Sequence, residues 1–394
     1  MKPLALERLK ILDFSTLLPG PYATMVLSDL GADVLRVVSG SRPDITALMP
    51  PFISGTEISA NLAWLGRGKS SITLNLKKSR AVKIVKQLIP EYDIIVEQFR
   101  PGVMQRLNLG YDDLKKINPG LIYCSLTGYG QDGPYSKRAG HDINYLALSG
   151  LMSYSGRKNS GPTLTGMQIA DLASGANNVV ISILAAVLHR KNSGKGQYID
   201  ISMMDGVVPF NAMTGAGTLV NGINPGREKE IFNGGSLYDF YETKDNRYIS
   251  FGGLEPKFFS AFCTTIGCPE LIKDGIMPED LDQAKSKIKK IIKTKTRKDW
   301  EKIFNKVDAC VEPVLTITEV LDDPHVKHRK VVVDVNLKSG GSVRQFGTPI
   351  RFSETPLHYS KAGYKPGSDN KKILFKLGYS EKEIEDFKRT GIFD

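Results

Sequence analysis

Two acids and an imidazole carry the clearest chemical potential in this sequence of 394 residues. His141 and Asp142 sit in the run Gly140-His141-Asp142-Ile143-Asn144-Tyr145, which crowds titratable and amide side chains against the apolar residues that follow. After a loop rich in Ser, Gly and Pro (153–162), residues 167–190 read as a helix. Its first turns hold Asp171 among the small residues Ala170, Ala173, Ser174, Gly175 and Ala176. An acid near a helix start lies in the positive end of the dipole, beside backbone N–H groups without intrahelical partners. Small neighbours let another backbone or a ligand come close. A His–Asp pair facing a second Asp across a pocket is equipment for moving protons, since an imidazole titrates near neutrality. The same residues also read as a capping acid and a satisfied loop histidine, and by themselves they leave both readings open.

Such residues need a scaffold, and the N-terminal pattern predicts one. Residues 10–14 form a short apolar run that reads as a strand. A short helix follows, ending near Leu30 with Gly31 just beyond it, and residues 33–38 read as a second strand. A βαβ unit of this kind predicts an α/β fold with a parallel sheet. Pro19-Gly20-Pro21 stands where a dinucleotide fingerprint would have its glycine turn. Further strands are expected at 71–76, 93–97, 121–126 and 196–201. Arg36, Arg67 with Lys69, and Arg100 beside Pro101-Gly102 then fall at successive strand ends. That pattern suits a multiply phosphorylated ligand at the carboxyl edge of the sheet, although a surface salt bridge for each reads the residues equally well.

Glycines, Asn224 and Pro225 between 215 and 226 mark a linker. The division expected is a large domain begun by 1–220, a smaller α+β domain at 221–328, and a return segment at 329–394. The smaller domain opens with strands at 236–242 and 247–252. Helices follow at 256–266, 280–293 and 298–306, and then a strand at 310–315.

The bulk composition excludes some functions. Hydrophobic content of 41% with 24% charged residues is ordinary for a globular chain. The longest strongly apolar run, 179–188, is about half of what a membrane-spanning helix needs. The N-terminal residues lack a secretory signal's pattern, and the last residues are not a peroxisomal address, so the cytoplasm is the expected location. Four scattered cysteines suggest neither a disulfide framework nor a zinc site. The net charge of +11 is spread along segments such as 285–300, where Ile288, Ile291 and Ile292 share one face opposite lysines. That is a solvated amphipathic helix, and no nucleic-acid-binding signature accompanies it.

Several separated blocks, in order, resemble the family III CoA-transferase superfamily. They are LLPGPYATMVLSDLGADVLRV, VEQFRPGVMQRLNLG, SLTGYGQDGPY, GHDINYLALSGLMS, QIADLASGA, GKGQYIDISMMDG, GGLEPKFF and GYSEKEIEDFKRTGIF. The resemblance spans nearly the whole chain and is greatest to the α-methylacyl-CoA racemase branch. It implies a Rossmann-like large domain, a smaller second domain, an interlocked homodimer, and coenzyme A as the ligand moiety, with no further cofactor. It implies that Arg36, Lys69 and Arg100 lie near the phosphates and Gly140 and Asp142 near the thioester. For the racemase branch it implies that His141 and Asp171 are the two bases, aided by Asp142 and by Glu255 of GGLEP. Without the family, Glu255 reads as a helix-start acid before Pro256. The other implied reaction is CoA transfer between carboxylic acids, with Asp171 as the nucleophile that carries the covalent adduct.

Overall fold

The structure is a computed structural model and describes residues 2–393. Its packing separates two units. The first comprises Met1–Tyr145, Met167–Val207 and His325–Asp394, and the second Leu146–Gly166 and Val208–Pro324. These limits differ from the expected 1–220, 221–328 and 329–394, because 146–166 and 208–220 pack with the second unit and 325–328 with the first. Arg157 reaches Asp239 through Nη1 at 2.9 Å and Nη2 at 2.5 Å. The Asn211 amide donates to the Ser149 carbonyl at 2.9 Å.

The first unit is built on six parallel strands: β1 (Lys10–Asp13), β2 (Asp33–Val38), β3 (Ser70–Thr73), β4 (Ile94–Glu97), β5 (Ile122–Thr127) and β6 (Tyr198–Ser202). Their order is β3-β2-β1-β4-β5-β6. β4 and β5 are buried at every position, which is why they read as mostly apolar runs. One face is closed by Leu12, Leu35, Ile72, Ile84 and Ile95, with Leu374 and Phe387 of the C-terminal segment joining the same core. The strand order reverses between β1 and β4, and open α/β sheets receive ligands beyond the carboxyl ends at such a point. There the helix Pro19–Asp29 begins with two prolines, residues pre-set for a first helical turn. The Gly20 N–H donates to Gln98 Oε1 at 3.2 Å, tying the β1 exit to the β4 exit.

The long central helix differs from expectation in one respect. Residues Ala170–Ser193 form a 24-residue helix long and apolar enough to cross a membrane by length and composition, although the 179–188 run alone falls short. Val179, Ile183 and Ala186 are buried, and the helix packs against β5 and β6.

The second unit contains an antiparallel sheet of β7 (Asp239–Glu242), β8 (Tyr248–Phe251) and β9 (Val311–Pro313). Helices Pro256–Thr265, Leu281–Ile292 and Arg297–Phe304 enclose a core that includes Tyr241, Phe251, Phe262, Ile288, Ile292 and Trp300.

Candidate active site

The site starts from the carboxyl end of β5. Beyond Thr127 the chain turns through Gly128, which has no room for a side chain: a Cβ there would stand 2.5 Å from the Tyr145 ring. Tyr145 and Tyr129 meet edge to face at 5.1 Å. The Tyr145 hydroxyl donates to the Gly140 carbonyl at 2.6 Å. Gly140 is close-packed as well, since its Cβ would lie 2.8 Å from the Tyr129 hydroxyl. Two tyrosines and two glycines therefore pin the His141 loop onto the sheet edge. The His141 N–H then donates to Asn144 Oδ1 at 3.0 Å, and the helix Asp142–Leu148 begins. His141 itself is exposed.

Asp171 arrives from the other side. It stands in a π-helical turn, Ala170–Ala176, that runs directly into the helix Asn177–Ser193. Such widened turns occur often at functional sites. The small residues allow close packing here: the Ser174 hydroxyl donates to the Met203 carbonyl at 2.6 Å, and a Cβ on Gly175 would lie 2.9 Å from Met203 Cγ. The Asp171 N–H donates to Asp142 Oδ1 at 3.0 Å. Burial, reinforced by the negative charge of Asp142, pushes the Asp171 carboxyl up to about 6, while His141 pulls it the other way. His141, Asp142 and Asp171 thus form one cluster within the first unit.

Glu255 belongs to the second unit. It is exposed at the cap position of the helix Pro256–Thr265, and its carbonyl accepts the Phe258 and Phe259 N–H groups at 3.0 Å.

The basic residues divide into two groups. Arg36 is nearly enclosed and lines a cavity of ≈ 670 Å³ with Asp44, Phe52, Leu62 and Lys365. Its Nη2 lies 3.5 Å from Asp44 Oδ2, and its buried Nε makes no hydrogen bond. A guanidinium with a spare donor suits an anion there. Lys365 was not singled out in the sequence, where it is one lysine among many. Arg100 is exposed on the turn after β4. Lys69, by contrast, is interior. Its ammonium donates to the Pro21 carbonyl at 2.7 Å, Thr24 Oγ1 at 2.6 Å and Asp13 Oδ2 at 3.3 Å. Burial pushes Lys69 down to about 8. Burial also pushes Asp13 up, but the nearby Lys69 and Arg36 charges and the hydrogen bonds from Ser15 and Thr24 together hold that carboxyl below its ordinary value. Arg67 is likewise interior, with Nε and Nη2 donating to Asp29 at 2.9 and 2.6 Å. The 66–70 turn therefore braces the first unit, with Arg67 paired to Asp29 and Lys69 to Asp13 in the interior.

Residues 6–370 match the model of CoA-transferase family III. The chain is 33% identical to the α-methylacyl-CoA racemase of Homo sapiens over 394 residues, covering 99% of this chain and 98% of the relative. It is equally, 33%, identical to the succinyl-CoA:glutarate CoA-transferase of Mus musculus over 408 residues, covering 100% and 91%. Among solved structures, a CAIB/BAIF family protein from Brucella suis superimposes with a TM-score of 0.83 at 29% identity, over 95% of this chain and 100% of that one.

Proposed function

This chain belongs to CoA-transferase family III, and from that premise we propose that it inverts the α-carbon of 2-methyl-branched acyl-CoA thioesters. One base removes the α-proton, the thioester carbonyl becomes an enolate, and an acid returns a proton to the opposite face. His141 and Asp171 are the two groups assigned to this exchange. Asp142 holds the Asp171 turn through its bond to the backbone N–H. Backbone N–H groups near the start of the Asp171 turn stabilise the enolate oxygen. Glu255 is assigned the task of holding the imidazole tautomer, and Gly140 lies by the thioester. Arg36 and Arg100 receive the CoA phosphates. The chemistry needs no cofactor beyond the substrate's CoA moiety. Two copies of the chain form the working enzyme, in the cytoplasm, where four unpaired cysteines are in keeping with a reducing setting.

The observation that carries this reading is the Asp171 carboxyl, poised at about 6 beside a histidine. A group that must both take and give a proton works best with its pKa near the working pH. CoA transfer through an adduct on Asp171 is the second reading, favoured by the equal identity to a transferase.

The two readings part in deuterated water. Purified protein is given a single enantiomer of a 2-methylacyl-CoA with no acceptor acid. Entry of deuterium at the α-carbon with loss of optical purity is expected. If no label enters, and an added carboxylic acid exchanges CoA through a hydroxylamine-trappable adduct on Asp171, the protein is a transferase.

A further inference from the structure

The second unit contains a cavity of ≈ 450 Å³ that runs from the 155–163 loop to the turn leading towards Glu255. Four aromatic side chains, Phe232, Tyr238, Phe240 and Phe251, form much of its wall, with Cys310 at the side. Phe232 and Tyr238 meet edge to face at 5.8 Å, while Phe251 is anchored from behind by stacking on Phe262 at 3.8 Å. Phe240 is 56% exposed and Phe232 43%, a cost that surface aromatics incur unless something covers them.

Packing and hydrogen bonding join this cavity to the Glu255 turn. Tyr238 packs on Gly252, whose Cβ would lie 3.4 Å from Cε2 of that ring. The Gly252 N–H donates to the Cys310 carbonyl at 2.9 Å. Gly252 opens the Gly252-Gly253-Leu254-Glu255 turn, and Cys310 lies close enough to Glu255 for that charge, after burial, to help raise its thiol. Cys310 also adopts a φ of 52°, a left-handed backbone that a cysteine rarely takes.

Charge excludes one class of occupant. Arg157, the cation of the wall, is held by Asp239 on both arms and by Glu228 at 3.0 Å. Lys285, behind it, donates to Asp239 Oδ2 at 2.7 Å and to the Gly234 carbonyl at 2.6 Å. Both positive charges are compensated inside the protein. A second carboxylate on the acyl group would meet no uncompensated positive charge here, whereas an uncharged planar ring would find edges and faces to pack against.

We propose that this aromatic cavity beside the Glu255 turn receives the acyl group and selects an uncharged, aryl-bearing one over a dicarboxylic one. The assignment rests on the proposed function only in taking the thioester to react beside Glu255.

The test reads binding without turnover. Cys310 is the one exposed cysteine of the four, so its alkylation by N-ethylmaleimide, followed by mass spectrometry of the intact protein, reports on the cavity. The probe is 2,2-dimethyl-3-phenylpropanoyl-CoA, which has no α-hydrogen and cannot be racemised. At saturation it is expected to slow alkylation roughly tenfold, while CoA and succinyl-CoA leave the rate unchanged. Phe240→Ala, at an exposed position, should weaken the aryl thioester about tenfold through the lost ring contact and leave CoA affinity as it was. Tyr238→Leu should act in the same direction. Equal protection by CoA or succinyl-CoA, no protection by the aryl thioester, or unchanged aryl affinity in both variants would overturn the proposal. A failed racemase reading would show separately, as absent α-deuteration with aryl binding intact.

Discussion

Asp142 acts on its neighbour in two ways: its carboxylate takes the Asp171 N–H, and its charge helps burial raise the Asp171 carboxyl to about 6. A base must be ionised to accept a proton, so kcat/KM should fall as pH drops through that value. Asp142→Asn keeps an acceptor for the N–H but removes the charge. The acid limb of the kcat/KM profile should therefore move to lower pH, with KM for CoA thioesters little changed. An unmoved limb would mean that another group sets it. Glu97 offers a second titration. It ends β4 in the interior, where its carboxylate accepts the Phe99 N–H at 2.8 Å and the Ser125 hydroxyl. Burial still pushes it up to about 7, against the pull of those two bonds. An acid with a raised folded pKa holds its proton while the unfolded chain has already lost it. Stability is then highest below the ordinary carboxylate range and declines as pH rises towards about 7. Glu97→Gln should remove this decline, read as the denaturation midpoint from about pH 5 to about pH 8.

At the level of elements, β1, β2, β4 and β5 were legible as short apolar runs and the 71–76 strand by its alternation. The Gly140 loop and the acid at 171 were legible for a different reason: few segments combine so many polar groups with so many small residues. The π-helical turn was not. Helix periodicity puts a start at 167, and nothing in Ala170–Ala176 distinguishes a wide turn from an ordinary one until Met203 and Gly206 pack against it. Nor did the 66–70 turn reveal that Arg67 and Lys69 face inward, since their partners Asp29 and Asp13 lie far away in sequence. The packing of the π-helical turn can be tested directly. A Cβ on Gly206 would fall 2.1 Å from the Ser174 hydroxyl and 2.8 Å from Asn178 Nδ2. Gly206→Ala should displace the Asp171 turn, lowering kcat and costing about 1–3 kcal/mol of stability. Gly217→Ala, inside the helix Ala212–Asn221 with nothing within 4 Å of the added atom, should leave kcat unchanged and add roughly 0.5–1 kcal/mol of stability. Activity assays beside denaturant melts separate the two effects.

Each unit leaves large apolar side chains exposed on a helix. In the first unit Ile181 and Leu188 are each 62% exposed, and in the second Leu219 is 90% and Val220 89% exposed. Patches of this kind mark association surfaces, and they support the proposed homodimer. Light scattering should give about twice the 43.4 kDa of one chain, and Leu219→Glu with Val220→Glu should shift the mass towards one copy. A wild-type mass of a single chain at micromolar concentration would contradict this. In the proposed reaction two different groups on the assembled enzyme exchange the α-proton from opposite faces. The most direct measurement follows α-deuteration of (R)- and (S)-2-methylacyl-CoA separately in deuterated water, for the wild type, His141→Ala and Asp171→Asn. The wild type should label both enantiomers. Each variant should still label one enantiomer without inverting it, and the two variants should retain opposite ones. An absence of labelling in the wild type, or unchanged labelling of both enantiomers in both variants, would rule out His141 and Asp171 as the two bases.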